Sequence, residues 1–164
     1  MALVILGLGN DLLGDDAIGL LLVERLEGRV AADVHLRRSA QSGLYLLEPL
    51  EGCDDAILID SMLGETPGRV REIDLADVRP LRVPSAHYAG LPEVLAVARS
   101  AGLRTPTRVK ILAVEIGGTQ TIGTGPSPAV LAAIPELLER VASTTKAWGY
   151  AGEAEEVRAC TSTA

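Results

Sequence analysis

The sequence predicts an α/β fold, a three-layer sandwich in which a twisted, mostly parallel sheet of about five strands is flanked by helices on both faces. Three observations carry this. Short apolar runs alternate with stretches of helical period along the chain. Two of those runs, 2–6 and 56–59, are apolar at every position, as strands covered on both faces must be. Gly and Pro punctuate the joints between the segments. A chain of 164 residues suits one domain with a real core. With no Phe and 48% hydrophobic residues, that core must be built from Leu, Val, Ile and Ala. The domain is placed at 1–148. Residues 149–164 carry few large apolar side chains and are expected to form a loosely held tail.

The first strand, 2–6, is closed by Gly7. Asp15 and Asp16 then open an amphipathic helix to about Glu27, with Ile18, Leu21, Leu22 and Leu26 on its apolar stripe and Gly28 as its stop. Residues 33–38 alternate, Val34 and Leu36 against His35 and Arg37, and read as a second strand. A helix over 44–50 is limited by Pro49. The run 56–59 is the third strand and, being wholly apolar, a central one. Gly64-Glu65-Thr66-Pro67-Gly68 is a turn into a modest strand at 69–73. Pro80, Pro84 and Pro92 frame an irregular loop that holds His87. A helix at 91–101 has Leu91, Val94, Leu95 and Ala98 on one stripe. The last strand spans 109–114, and a Gly/Thr/Pro loop then leads to a helix from about 127 to 146. Pro135 either kinks that helix or delays its start.

Composition excludes several function classes. A net charge of −7 argues against a nucleic-acid partner, which requires a basic footprint. One Trp, three Tyr and no Phe leave no stacking platform for single strands. No apolar run approaches the roughly 18 residues needed to span a bilayer, so no membrane partner is expected. The opening residues read as the first strand of a cytoplasmic protein rather than a basic leader. Cys53 and Cys160 form no Cys-x-x-Cys pair and read as ordinary thiols.

Asp16, Asp60 and His87 stand out because each lies just past an apolar run, where an α/β chain leaves a strand and where such folds place their sites. Two carboxylates and an imidazole suit a divalent transition metal such as nickel or zinc. Each also has an ordinary reading. Asp15 and Asp16 suit helix N-caps as well as ligation. Asp60, followed by Ser61 and Gly64, suits a turn. A loop histidine can simply be a surface residue, as His35 is expected to be. Gly7-x-Gly9 suggests a dinucleotide fingerprint, but Leu12 stands where its third Gly belongs, and Asp11, Asp15 and Asp16 would repel a pyrophosphate. There is no Gly-x-Ser-x-Gly elbow, His-Glu-x-x-His helix or P-loop. Ser85 and His87 are too close on one loop for a nucleophile–base pair, and acidic neighbours should raise the Cys53 pKa.

Taken together, the segments resemble the endopeptidases that mature the large subunit of nickel–iron hydrogenases. Leu6-Gly7-Leu8-Gly9-Asn10 with Leu12-Leu13-Gly14-Asp15-Asp16-Ala17-Ile18-Gly19 resembles that family's opening motif. Ile59-Asp60-Ser61 with Gly64-x-x-Pro67-Gly68 resembles the second, and Ser85-x-His87 with Gly90-Leu91-x-Glu93-x-Leu95 the third. The resemblance implies that Asp16, Asp60 and His87 occupy both catalytic and metal-contacting positions. It also implies that the partner is a hydrogenase large-subunit precursor whose C-terminal extension is removed, and that nickel already in that substrate is the recognition element. Asp16 stands where the family often has Glu, and Val114-Glu115-Ile116-Gly117-Gly118 replaces the usual last motif. The same ligands would equally serve a non-enzymatic checkpoint that senses the nickel site without cutting.

Overall fold

The apolar run at the start of the chain becomes β1, Leu3–Leu8, buried at all six positions. In the computed structural model, which describes residues 1–78, 87 and 90–150, it pairs in parallel with β2, Val34–Ser39, and with β3, Asp55–Leu63. Then β5, Arg108–Ile116, lies parallel to β3, and β4, Val70–Asp74, runs antiparallel along β5. Among the described residues these five strands form one sheet in the order β2-β1-β3-β5-β4. The expected mostly parallel sheet is therefore present, with its one antiparallel strand at an edge.

Helices cover both faces. Against one face lie α1 (Ile18–Leu26) and α5 (Ile134–Ala147), burying Leu22, Val23, Leu137 and Val141 with Ile5, Ile57 and Val114. Against the other lie the single-turn α2 (Leu47–Leu50) and α3 (Leu91–Ser100), with Leu46, Leu50, Leu91 and Leu95 over Val4, Leu6, Leu58 and Ile111. Each fully buried Leu or Ile contributes about 1.5–3 kcal/mol, so the apolar stripes of the helices fix which face each one covers. No helix among the described residues is long and apolar enough to cross a membrane.

Several boundaries differ from expectation. The strands β3 and β5 extend beyond their apolar cores, because the parallel ladder continues through Asp60↔Ala113 and Met62↔Glu115 whatever the polarity of the side chains. Asp60 thus sits within a strand and not at its end. The helix expected at 44–50 is a 3-10 turn, Gly43–Leu46, followed by α2. Pro135 delays a helix start: α4, Pro128–Leu131, stops short and α5 begins at Ile134 with Pro135 in its first turn.

The body of the domain extends past 148. Tyr150 is 2% exposed within the α1/α5 core and donates its hydroxyl to Asp55 Oδ2 at 2.7 Å. Arg108 also donates to Asp55 and stacks its guanidinium over Trp148, 5.0 Å from the ring centroid. The rest of the expected tail, 151–164, and the loop residues 79–86, with Pro80, Pro84 and Ser85, lie outside the described residues.

Candidate metal centre

The opening glycines shape the backbone around the site. A side-chain carbon on Gly19 would collide with the carbonyl oxygens of Leu8 and Ile59, and one on Gly7 would strike the carbonyl of Gly19. So α1 begins in direct backbone contact with β1 and β3, a closeness open only to glycine. Gly9 turns through φ +142°, where a Cβ would meet the Asp16 carbonyl. The glycines that suggested a phosphate loop therefore seat the helix start on the sheet.

Asp15 and Asp16 fall in a 3-10 turn, Gly14–Ala17, ahead of α1, and neither caps the helix through its side chain. Asp15 ties two loops together instead. Its amide donates to Gln120 Oε1 at 2.8 Å and its carboxylate accepts from the Ser127 amide at 2.5 Å. Gln120 in turn donates to the Gly117 carbonyl. The loop that departs from the expected last motif is thus fastened to the segment that carries Asp16. Glu115, buried on β5, accepts from the Thr66 amide at 2.9 Å and from Arg71 at 3.2 Å, and so pins the turn of Gly64 to Gly68.

Asp16, Asp60 and His87 converge. One ligand atom from each can be chosen so that all lie within 4.8 Å of one another, which is a geometry fit to hold a metal ion. Asp60 is fully buried, and such a carboxylate needs compensating donors. The Ser61 amide donates to its Oδ1 at 2.8 Å, and His87 Nδ1 lies 3.0 and 3.1 Å from its two oxygens. The hydrogen bond to Asp60, its charge and that of Asp16 hold the His87 pKa above the ordinary histidine value, overcoming the burial that would lower it. The His87 side chain is 19% exposed, so the site opens to solvent on the imidazole side.

Sequence reasoning missed Ser61. Its hydroxyl donates to Asp16 Oδ1 at 2.5 Å while its amide serves Asp60, so one residue orients both carboxylates. Its position directly after Asp60 was the available signal, but it had suggested turn chemistry, whereas β3 continues through it. His35 is exposed on β2, as expected. Cys53 is buried, and burial, more than its acidic neighbour, pushes the thiol pKa up.

The family model described as HycI, hydrogenase maturation protease, matches residues 21–144. The chain belongs to the hydrogenase maturation protease family. It is 30% identical to the hydrogenase expression/formation protein HupD of Rhodobacter capsulatus over 152 residues, covering 89% of this chain and 72% of that protein. It is 32% identical to the hydrogenase 2 maturation protease of Escherichia coli K12 over 152 residues, covering 83% and 92% of the two chains. The fold matches that of the hydrogenase maturating endopeptidase HybD from E. coli with a TM-score of 0.77 at 29% identity, over 93% of this chain and 96% of that one. The resemblance read from the motifs therefore holds, in sequence and in fold.

Proposed function

We propose that this protease removes the C-terminal extension of a nickel-loaded nickel–iron hydrogenase large-subunit precursor, in the cytoplasm, and recognises it through the nickel the precursor carries. The observation that carries the reading is the convergence of Asp16, Asp60 and His87, a donor set whose chemistry suits nickel. Two carboxylates and one imidazole leave the ion's coordination incomplete, and the precursor's own soft donors would complete it. The nickel is thus part of the substrate. The three side chains bind it and orient the adjoining peptide, bringing the scissile bond beside the carboxylates. Hydrolysis then needs a water activated either by the ion or by a carboxylate acting as general base.

Purified chain incubated with nickel-loaded precursor, followed by intact mass, should remove the mass of the extension and leave metal-free precursor intact. Equal cutting of the metal-free form would remove nickel as the recognition element. Stable binding without any cutting would support the non-enzymatic checkpoint instead.

A further inference from the structure

The metal centre straddles the sheet. Successive side chains along β3 point to opposite faces. Ala56 and Leu58 pack in the core under α2 and α3, and Ile57 and Ile59 in the core under α1 and α5. Continuing that alternation puts Asp60 on the α3 face and Ser61 on the α1 face. The other two site residues come from the same two sides. His87 precedes α3, and Asp16 lies in the 3-10 turn ahead of α1. Asp60 and His87 already touch, with Nδ1 3.0 Å from Oδ1. Asp16 reaches them from across the strand.

Ser61 ties the two sides together. Its hydroxyl donates to Asp16 Oδ1 at 2.5 Å, the one hydrogen bond that reaches the Asp16 side chain among the described residues. Its amide donates to Asp60 Oδ1 at 2.8 Å. Between these two donors runs the backbone of β3, paired with β5 through Ser61 opposite Val114, so both are fixed to the sheet. A buried hydroxyl needs some acceptor, and at 4% exposure Ser61 has that ordinary need. Two features ask for more. The acceptor is a carboxylate from a segment 45 residues away, which makes the bond charge-assisted and about twice as strong as a neutral one. And the same residue serves two carboxylates that arrive on opposite faces, where like charge would otherwise drive them apart.

We infer that Ser61 is a positioning residue for the protease reaction, acting through Asp16. Its hydroxyl holds Asp16 against the Asp60–His87 pair and occupies Oδ1, so that Oδ2 is the oxygen left for the substrate's nickel. Without the hydroxyl, Asp16 is free to turn about its side-chain torsions, whereas Asp60 keeps the backbone amide of residue 61. Hydrogen-bond partners that orient metal ligands are worth about 10–100-fold in metal affinity or activity. This rests on the proposed nickel-bearing precursor as substrate.

Ser61→Ala deletes the hydroxyl and leaves the amide, while Ser61→Thr keeps both and suits a strand. With nickel-loaded precursor, Ser61→Ala should lower kcat/KM about 10–100-fold, and its affinity for nickel chloride, read by calorimetry on the isolated chain, should fall by a similar factor. Ser61→Thr, shown by its urea midpoint to be folded, should stay near wild type in both. Wild-type values in Ser61→Ala reduce the hydroxyl to a satisfied buried group and overturn the inference. So does equal loss in the Ala and Thr variants. Lost turnover at unchanged nickel affinity overturns it as well, because the hydroxyl would then act in the chemistry and not through Asp16. Crystal structures of the metal-free wild type and Ser61→Ala decide the matter without substrate or nickel. The Asp16 carboxylate should leave its wild-type position while Asp60 keeps its own, and an unmoved Asp16 overturns the positioning role. Failure of the wild type to cut loaded precursor overturns the protease reading instead and leaves that structural comparison standing.

Discussion

Substituting Gly19 by Ala tests the seat on which the site is built. The backbone of Gly19 has ordinary helical geometry, so Ala is conformationally acceptable and its higher helix propensity would favour the change by up to about 1 kcal/mol. Sterics oppose it. The new methyl would lie 2.9 Å from the Leu8 amide nitrogen and closer still to the carbonyl oxygens of Leu8 and Ile59, all of them backbone atoms of the sheet. None is the end of a flexible side chain, so relief requires α1 to withdraw by about 1 Å, loosening Ile18, Leu22 and Val23 in the core. Overpacking against backbone that cannot yield falls at the upper end of the usual range, about 3 kcal/mol, leaving a net loss near 2 kcal/mol. The same withdrawal carries Asp16 away from Ser61 and Asp60, and a displacement of about 1 Å is enough to reduce turnover by about 100-fold. Urea denaturation gives the first number and precursor processing at a temperature where the variant is folded gives the second. If Gly19→Ala unfolds within about 0.5 kcal/mol of wild type and processes normally, the close approach does not position the site.

His87→Ala should abolish processing and, by leaving the buried Asp60 one donor fewer, cost about 1–3 kcal/mol in denaturation without unfolding the chain; near-wild-type cleavage would remove it from the site. Asp16→Glu should retain more activity than Asp16→Asn, because charge is kept and reach only lengthens; equal performance in the same processing assay would reduce Asp16 to an acceptor for Ser61. Because the folded His87 pKa is raised above 6.5, its pairing with Asp60 stabilises the metal-free chain fully below about pH 6.5 and loses that effect as pH rises through the folded value. The stability difference between wild type and His87→Gln should therefore shrink from pH 6 towards pH 9, and a difference that grows would reverse the assignment. Tyr150→Phe leaves Asp55 with one donor fewer and should cost about 1.5–3 kcal/mol in thermal or chemical denaturation; no loss would mean that residues past 148 are indeed loosely held.

The parallel core was legible because strands covered on both faces must be apolar throughout, and 2–6 and 56–59 announce this in composition alone. The extensions of β3 and β5 were not, since ladder hydrogen bonds are made by backbone and continue through polar residues such as Asp60 and Glu115. Nor was the direction of β4: its burial pattern suits any edge strand, and its orientation follows from the turn pinned by Glu115 rather than from its own residues. The three site residues were legible as residue types just past apolar runs and through the resemblance. Their convergence was not, because nothing in local sequence brings segments 44 and 27 residues apart to one point. Tyr150 was missed because a single large side chain in a weakly apolar segment gives no periodic signal, although its hydroxyl meets the buried Asp55.

The metal-free contacts bear on how the centre would take an ion. Two ligands at about 2.2 Å from a shared ion lie at most about 4.4 Å apart, and the donor atoms here lie within 4.8 Å. A contraction of a few tenths of an ångström closes the site, well within side-chain motion. What the ion must overcome is competition more than distance. Asp16 already accepts from the Ser61 hydroxyl, and Asp60 from the Ser61 amide and from His87. A carboxylate has two oxygens, so Ser61 can keep its bond to Asp16 while the ion takes the other oxygen. An imidazolium at His87 must lose one proton before it can ligate: with Nε2 as the ligand atom the Nδ1 contact with Asp60 is kept, and with Nδ1 as the ligand atom it is lost. On the proposed reading this makes the free centre a weak nickel site, completed only when the precursor brings the ion with its own thiolates. Stoichiometric nickel retained by the isolated chain through dialysis would contradict that, and nickel release without precursor would agree with it.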